Sequence, residues 1–248
     1  MMQEPTLRKL QEMRLSVMAE SYRNQLLDPN FQVLSFEERF GLLVDTEWSR
    51  RKNNRLSSLI RKADFQQSNA CIEDVEYHAD RKLDRTQVLR LATGTYIQEK
   101  LNIIIMGASG AGKTYLACAF GIAACRSFYP VKYVRLLPEL LNELAVARGD
   151  GIYQRVMKTY EKIPLLILDE WLLVSLKESE ARDLLEIVEA RHQRGSTIFC
   201  SQFAPAGWHG KIGESTLADA ILDRIVQSSY TITIEGMDSM RKRKGLIT

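Results

Sequence analysis

The chain has 248 residues, of which 45% are hydrophobic and 26% charged, and its formal net charge is +3. Such a length accommodates one α/β domain with a smaller addition, and such a composition is typical of soluble globular proteins. The nearly balanced charge excludes an overall attraction to nucleic acid, so any such binding must come from local clusters of basic residues.

No apolar run reaches membrane-spanning length, and the first ten residues lack the apolar segment of a signal peptide. The cysteines form no CxxC pair and have no histidine at metal-ligand spacing; they are Cys71, Cys118, Cys125 and Cys200. We therefore expect a cytoplasmic protein without a membrane partner, in which the cysteines are small reduced core residues rather than disulfides or zinc ligands.

Two amphipathic helices are predicted at the start of the chain. Apolar residues recur at three- and four-residue steps over residues 5–27, and the turn formers Asp28 and Pro29 end that pattern. Ser35 followed by Glu38 is a capping box that opens the second helix, and we expect a break or bend near Trp48.

The next stretch, residues 48–63, has basic but no acidic side chains. Apolar residues form one stripe of the predicted helix, and the opposite side carries Arg50, Arg51, Arg55, Arg61 and Lys62. Solvated faces usually mix charges of both signs, so this pattern favours contact with a phosphate backbone, with a merely solvated face as the alternative. Because we expect no aromatic cluster here for base stacking, duplex DNA is the predicted ligand.

From residue 96 onward, β and α patterns alternate, which predicts a parallel sheet with right-handed crossovers. The predicted strands cover residues 101–106, 131–136, 165–169, 197–201 and 230–235. The predicted helices cover residues 115–126, 138–148, 152–162, 179–194 and 215–227. The chain is thus predicted to have a helical domain over residues 1–70, a polar linker over residues 71–95 and an α/β domain over residues 96–248.

A glycine-rich loop between the first strand and its helix matches the phosphate-binding pattern GxxxxGK[ST] in full. The predicted nucleotide site consists of Gly107, Ala108, Ser109, Gly110, Ala111, Gly112, Lys113, Thr114 and Tyr115. Glycines allow the backbone to approach the phosphates, and the loop amides and helix N-terminus stabilise their charge. We expect Lys113 to contact the β- and γ-phosphates and Thr114 to bind Mg²⁺, as in a nucleotide triphosphatase.

Two acids, Asp169 and Glu170, end a buried apolar strand. Ligands of open α/β sheets bind at the carboxyl ends of the strands, which places this pair beside the phosphate loop. Asp169 is predicted to hold Mg²⁺, directly or through water, and Glu170 to orient and deprotonate the attacking water.

Two further positions are candidates for the reaction. The fourth predicted strand ends at Ser201 and Gln202; if it inserts between the loop strand and the acidic strand, one of these side chains lies near the γ-phosphate. We favour Gln202 as this sensor and keep Ser201 as the alternative. Arg224 ends the last helix, where it is either a finger for a neighbouring molecule's nucleotide or the ion-pair partner of Asp219 or Asp223.

In combination and order, these stretches resemble those of the IstB-like ATP-binding proteins of bacterial insertion sequences, AAA+ ATPases related to the DnaC helicase loaders. The resemblance is carried by WSRRKNNRLSSLIRKADF, GASGAGKTYLA, LLILDEW, STIFCSQF and ADAILDRIVQSS, and it covers most of the chain. It implies ATP and Mg²⁺ as cofactors, assembly through the nucleotide sites, binding of duplex DNA, and help to a partner transposase in choosing its target. It also implies that Arg224 is the arginine finger.

The chain departs from the family pattern at two places. Glu170 stands where the family sometimes has Asp, which leaves the hydrolytic role intact. The chain ends soon after Arg241, Lys242, Arg243 and Lys244, so we expect no full C-terminal lid and name Arg241 only as a candidate second sensor. The alternatives are a DnaC-like helicase loader that uses single-stranded DNA, and a nucleotide-switched structural DNA-binding protein, against which the intact Glu170 argues.

Overall fold

The chain divides into two units, Met1–Ser58 and Leu59–Thr248. A computed structural model describes residues 3–236, 239–240 and 245. The first unit is helical, and the second contains a parallel β-sheet with helices on its faces. The predicted α/β fold with a helical N-terminal part is therefore confirmed.

The first unit contains α1 (Gln3–Glu12), α2 (Ser16–Leu27) and most of α3 (Phe36–Ala63), which continues into the second unit. The prediction of one helix over residues 5–27 is wrong, because Arg14 adopts a left-handed φ of 60° between α1 and α2. The capping box at Ser35 and Glu38 is present and opens α3. The predicted bend near Trp48 is absent, since α3 runs for 28 residues without interruption.

A carboxylate from α3 fixes the start of α2. Glu47 is 8% exposed and accepts the backbone N–H groups of Val17 and Met18, both at 3.2 Å. Arg51 donates to Glu47 at 2.7 Å and to the carbonyl oxygen of Arg14 at 2.9 Å. The hydrogen bond from Arg51 is the main reason why the pKa of Glu47 is lowered. One ion pair thus joins α3 to both ends of the turn before α2.

The sheet of the second unit has the strand order β2-β3-β4-β1-β5, and all neighbouring strands are parallel. The strands are β1 (Asn102–Gly107), β2 (Val131–Arg135), β3 (Leu165–Asp169), β4 (Ser196–Ser201) and β5 (Ser229–Ile234). Every residue of β3 and β4 is buried, as expected for central strands that are covered on both faces. In this order β4 lies between the loop strand β1 and the acidic strand β3.

The helices of the second unit agree with the predicted alternation. They are α4 (Arg85–Ala92), α5 (Thr95–Gln98), α6 (Lys113–Arg126), α7 (Leu141–Gly149), α8 (Tyr153–Lys162), α9 (Glu178–Arg191), α10 (His209–Ile212) and α11 (Ser215–Val226). The helix predicted from residue 138 begins later, because a turn with a non-helical Leu137 precedes α7. Trp171, Phe199 and Trp208 form a buried aromatic cluster, with centroids of Trp171 and Phe199 4.7 Å apart.

Residues 71–95, predicted as a polar linker, lie within the second unit and contribute to its core. Val88 and Leu91 of α4 are at most 1% exposed, and Ile72 and Val75 are also buried. The segment therefore packs as part of the α/β unit rather than running through solvent.

Among the described residues, no helix is both long enough and apolar enough to span a membrane. The four cysteines are free; Cys118, Cys125 and Cys200 are buried and Cys71 is half-buried. Burial raises the pKa of Cys118 and Cys125 to about 12, so both are neutral thiols that fill the core.

Candidate nucleotide site

The phosphate loop connects β1 to α6 and is held against β5. A Cβ atom on Gly107 would lie 2.6 Å from the carbonyl oxygen of Ile234, so no larger residue fits at the start of the loop. Gly112 is the N-cap of α6 with φ of 95°, a conformation that favours glycine. The first N–H groups of α6 and the positive end of its dipole therefore meet the loop, which is the arrangement that binds phosphate.

Lys113, the first residue of α6, folds its side chain back onto the loop. Its ammonium group donates to the carbonyl oxygens of Gly107 and Ala108, each at 2.9 Å. Burial lowers the pKa of Lys113, and attraction to the carboxylate of Asp169 opposes that shift. The charge is thus kept within the loop, where it can attract the phosphates of a nucleotide.

Asp169 connects the loop to the neighbouring strands. The Thr114 hydroxyl donates to its Oδ2 atom at 2.7 Å, and the Tyr133 hydroxyl donates to the same atom at 2.8 Å. The backbone N–H of Glu170 donates to Oδ1 at 2.8 Å, and Asp169 is only 3% exposed. The Thr114 hydroxyl and the Asp169 carboxylate are hard oxygen donors of the type that Mg²⁺ takes from protein, with water and phosphate as further ligands. The residues present therefore fit a magnesium ion, which would neutralise phosphate charge.

Glu170 occupies a strained turn at the end of β3. Its φ is 54°, a left-handed value that costs a non-glycine residue on the order of 1–3 kcal/mol. The next residue, Trp171, is fully buried and donates its backbone N–H to the carbonyl oxygen of Cys200 at 2.8 Å. The Trp171 anchor holds the turn, so Glu170 leaves the strand half-exposed at the sheet edge. Its negative charge also helps to raise the pKa of Arg135, after the larger effect of Glu139.

The two sensor candidates, Ser201 and Gln202, differ in burial and in hydrogen bonding. Met106 of β1 pairs with Ser201 of β4, so Gln202 comes level with Gly107, the first residue of the loop. The Ser201 hydroxyl is buried and bonded to the backbone of Trp171 and Phe203 and to the Trp208 indole. Gln202 is exposed. The hydroxyl of Ser201 is thus engaged in the core, and the role of Gln202 as the sensor stays a prediction.

Arg224 makes an ion pair that the sequence did not predict. Its guanidinium lies 2.8 Å from the carboxylate of Glu189 on α9, and it donates to the Ala220 carbonyl oxygen at 2.8 Å. The ion-pair partner of Arg224 is thus neither Asp219 nor Asp223, and Asp223 accepts a hydrogen bond from Gln227. The Arg224 side chain is 31% exposed. The other arginine candidate, Arg241, lies outside the described residues.

A cavity of ≈ 220 Å³ opens beside the phosphate loop. Its lining includes Lys113, Thr114 and Tyr115 from α6, together with Asp74, Glu76, Arg81 and Met240. The backbone N–H of Met240 donates to the carbonyl oxygen of Gly110 at 3.0 Å, and the Tyr115 hydroxyl accepts the Cys71 N–H at 3.3 Å. The residues before β1 thus form one wall of the site, where a nucleoside next to the bound phosphates would lie.

Arg81 is the site residue that sequence reasoning missed. It is 6% exposed and donates to the carbonyl oxygens of Ala111, in the loop, and Glu76, both at 2.7 Å. Its own carbonyl oxygen accepts the N–H of Glu235 after β5. Nothing in the local pattern distinguishes Arg81 from neighbouring basic residues, because its partners are backbone atoms that are distant in sequence. Arg81 holds the loop from the side of the cavity.

The predicted DNA-binding residues all lie on α3 and are exposed; they are Arg50, Arg51, Arg55, Arg61 and Lys62. One aromatic ring lies near this face, because Trp48 is 56% exposed and lies two helical turns before Arg55. A single ring is not the aromatic cluster whose absence was expected, so duplex DNA stays the predicted ligand. The ammonium group of Lys52 lies 3.8 Å from the centroid of the Trp48 ring.

The family model described as IstB-like ATP binding protein matches residues 8–247 of this chain. The chain belongs to this family. The protein y4pL of Sinorhizobium fredii, which is named as an insertion sequence ATP-binding protein, is 43% identical to this chain over 98% of both chains. A second relative, named for insertion sequence IS1162 of Pseudomonas fluorescens, is 40% identical over 82% of this chain and 87% of its own.

Two solved structures share the fold of most of this chain. DnaI is 23% identical, with a TM-score of 0.56 over 72% of this chain and 93% of that chain. AMPPCP-bound DnaA from Aquifex aeolicus is 20% identical, with a TM-score of 0.59 over 73% of this chain and 54% of that chain. Likenesses at this identity show the fold alone. Family membership and the assembled phosphate-loop site together identify this IstB-like chain as a P-loop ATPase.

Proposed function

We propose that this chain is the ATPase of an insertion sequence, which binds duplex DNA and assists the transposase of the same element in selecting and using a target. The observation that carries the proposal is the 43% identity, over 98% of both chains, to a protein named as an insertion sequence ATP-binding protein. The match over residues 8–247 includes α3 as well as the nucleotide site.

In the proposed reaction, Lys113 and the loop amides bind the phosphates of ATP. Thr114 and Asp169 would hold Mg²⁺, which would stabilise negative charge on the phosphates. Glu170 accepts a proton from the attacking water, and Gln202 orients that water or the γ-phosphate. The Thr114 and Tyr133 hydroxyls both donate to Asp169, and these two hydrogen bonds keep its carboxylate in place.

Assembly through the nucleotide sites is the second part of the proposal. Arg224 completes the site of a neighbouring molecule and stabilises the charge that develops on the transferred phosphoryl group. The pair with Glu189 holds the side chain of Arg224 on the surface of α11 in the single chain. A partly exposed arginine that is held in this way is available to a neighbour when the molecules associate.

Duplex DNA is the proposed ligand of the basic part of α3. Exposed arginine and lysine side chains can contact DNA phosphates without disturbing the packing of the protein core. Such contacts do not depend on base sequence. We expect ATP-stimulated binding that weakens steeply as salt rises, because each neutralised phosphate releases counterions.

Titration of labelled duplex and single strands of equal length, with ATP present, tests this proposal. We expect tighter binding of duplex than of single strands. In a strand-transfer assay, we expect the chain to stimulate the transposase of the same element. A clear preference for single-stranded DNA would instead support a helicase loader. The exposed Trp48 is the reason to test this alternative, because single-strand binders stack bases on aromatic rings.

A further inference from the structure

Three hydrogen-bonded side chains connect the protein surface to the candidate magnesium site. The hydroxyl oxygen of Tyr133 lies 2.8 Å from Oδ2 of Asp169 and 2.8 Å from the terminal amide group of Gln66. Tyr133 is 4% exposed, in the middle of β2, whereas Gln66 is exposed and lies three residues after the end of α3. Through Tyr133, Gln66 therefore reaches the carboxylate that fits Mg²⁺.

The single proton of the tyrosine hydroxyl decides which group donates to which. Neither an ionised carboxylate nor an amide oxygen can donate a proton. The carboxylate of Asp169 is the stronger acceptor because it is charged, so the hydroxyl of Tyr133 donates to it. The two ends of a glutamine amide have the same shape, and the hydrogen-bond network decides which end faces inward. Gln66 therefore donates its amide N–H to the Tyr133 oxygen, and Tyr133 donates to Asp169.

Asp169 has three hydrogen-bond donors, and Tyr133 differs from the other two in its position. Thr114 belongs to the phosphate loop, and the N–H of Glu170 is adjacent in the chain. Tyr133 is the donor that leads away from the nucleotide site, toward Gln66. Groups that orient a metal ligand without touching the metal are worth about 10- to 100-fold in metal affinity.

The segment that carries Gln66 is packed firmly on the α/β unit. Asp64 ends α3 with a left-handed φ of 59°, and its neighbours Ala63 and Phe65 are buried. A Cβ atom on Gly121 of α6 would lie 2.4 Å from the Phe65 ring, so this ring lies directly on the helix that follows the phosphate loop. The position of Gln66 therefore follows the position of the last turn of α3.

We propose that Gln66 and Tyr133 are positioning residues, which hold Asp169 in place for Mg²⁺ and connect this site to duplex DNA bound at the end of α3. Arg61 and Lys62, two of the proposed DNA contacts, lie five and four residues before Gln66 and are exposed. DNA phosphates bound to them would order the last turn of α3, and Gln66 with it.

The link between the two sites works in both directions. A segment that DNA has already ordered costs less to order when nucleotide and Mg²⁺ bind, so DNA raises the affinity for Mg²⁺ and nucleotide. By reciprocity, nucleotide raises the affinity for DNA by the same factor. This link rests on the proposed function, because the DNA contact of α3 is itself proposed. The positioning of Asp169 does not depend on DNA.

Binding of a fluorescent, non-hydrolysable ATP analogue at increasing Mg²⁺ concentration, without DNA, tests the positioning role. Tyr133→Phe keeps the ring and should raise the Mg²⁺ concentration for half-maximal binding about 10- to 100-fold. Gln66→Met removes one hydrogen bond at an exposed position and should raise it about three- to tenfold. In EDTA, both variants should bind the analogue as wild type does, which a general loss of structure would not allow. Gln98→Met, at an exposed glutamine that ends α5, is the matched control and should match wild type throughout.

Duplex titrations with and without Mg²⁺ and the same analogue test the link to α3. The ratio of the two duplex affinities is the coupling factor, and such factors are typically about 5- to 150-fold. Gln66→Met should lower this factor toward one and leave duplex affinity without nucleotide unchanged, because the substitution alters no charge. Arg50→Gln, far from Gln66 in the same helix, should weaken duplex binding in both conditions and leave the factor unchanged.

Three results would overturn the proposal. Wild-type dependence on Mg²⁺ in both Tyr133→Phe and Gln66→Met would show that Asp169 needs no support from these side chains. Equal losses of nucleotide affinity with Mg²⁺ and in EDTA would show that the two residues serve the fold alone. An unchanged coupling factor in Gln66→Met would remove the link to α3. A wild-type chain that binds no duplex would refute the proposed function and this link together, while the Mg²⁺ titration, which contains no DNA, would still decide the positioning role.

Discussion

The edge of the sheet at the phosphate loop and the surface of α3 use charge in opposite ways. At the sheet edge, the charged groups of Lys113 and Asp169 are bonded within the fold, and Asp169 is nearly buried. On α3, basic side chains such as Arg50 and Arg55 face solvent. Charges in a desolvated site interact strongly and specifically, whereas exposed charges are screened by salt and act nearly additively. Substitutions should therefore have large, distinct effects at the first region and small, cumulative effects at the second.

The largest effects are expected at Lys113 and Glu170. Lys113→Ala should abolish ATP binding, because the ammonium group contacts the ground-state phosphates. Glu170→Gln should keep ATP binding and lower hydrolysis about 100- to 10,000-fold, because it removes only the base for the attacking water. Titration with a fluorescent ATP analogue and a phosphate-release assay measure the two quantities. Unchanged ATP affinity in Lys113→Ala would contradict the assignment of the loop.

Arg224 should give the next largest effect. Removing an arginine finger lowers hydrolysis about a thousandfold, so we expect Arg224→Ala to do so only in the assembled protein. Mixing Arg224→Ala with Lys113→Ala should restore part of the activity, since each copy supplies what the other lacks.

Glu189 provides the matched control for Arg224. Glu189→Gln breaks the ion pair with Arg224 while the arginine remains, so a finger role predicts nearly normal hydrolysis. Equal losses in Glu189→Gln and Arg224→Ala, with both variants folded and assembled and no complementation in mixtures, would favour a purely structural ion pair.

Arg81 should give an intermediate effect. Arg81→Met leaves the carbonyl oxygens of Ala111 and Glu76 without their donor, a loss of about 1–3 kcal/mol that should weaken ATP binding about tenfold. Arg81→Lys should recover part of the affinity, and Arg85→Met, on the exposed side of the same segment, should change little. A folded Arg81→Met chain with wild-type affinity would show that the loop does not depend on this contact.

The smallest effects are expected on α3. Arg50→Gln with Arg55→Gln should weaken binding to all duplexes alike and reduce the slope of log affinity against log salt by roughly two units. Arg51→Gln is expected to differ, because Arg51 also holds Glu47 and the turn before α2 and its loss should lower the thermal stability. Duplex binding by the double variant that equals wild type at every salt concentration would remove the basic face from the proposal.

The sequence by itself determined most of the α/β unit and the core of its site. The buried apolar strands, the glycine pattern and the acids at a strand end are local signals, because each follows from the backbone or burial needs of neighbouring residues. They placed the strands within one or two residues of their observed bounds and identified Lys113, Thr114 and Asp169, which the fold brings together. The helix break at Arg14 carried no such signal, because it depends on Glu47 and Arg51 from α3.

Only the tertiary structure decided the positions that depend on distant partners. The insertion of β4 between β1 and β3 set Gln202 level with Gly107 and engaged Ser201 in the core. Arg81 became part of the site, and the ion-pair partner of Arg224 is Glu189 rather than an acid of its own helix. Such contacts join residues far apart in sequence, where neither spacing nor periodicity carries information. Their identity is fixed by which buried donors and acceptors the completed fold leaves within reach of each other.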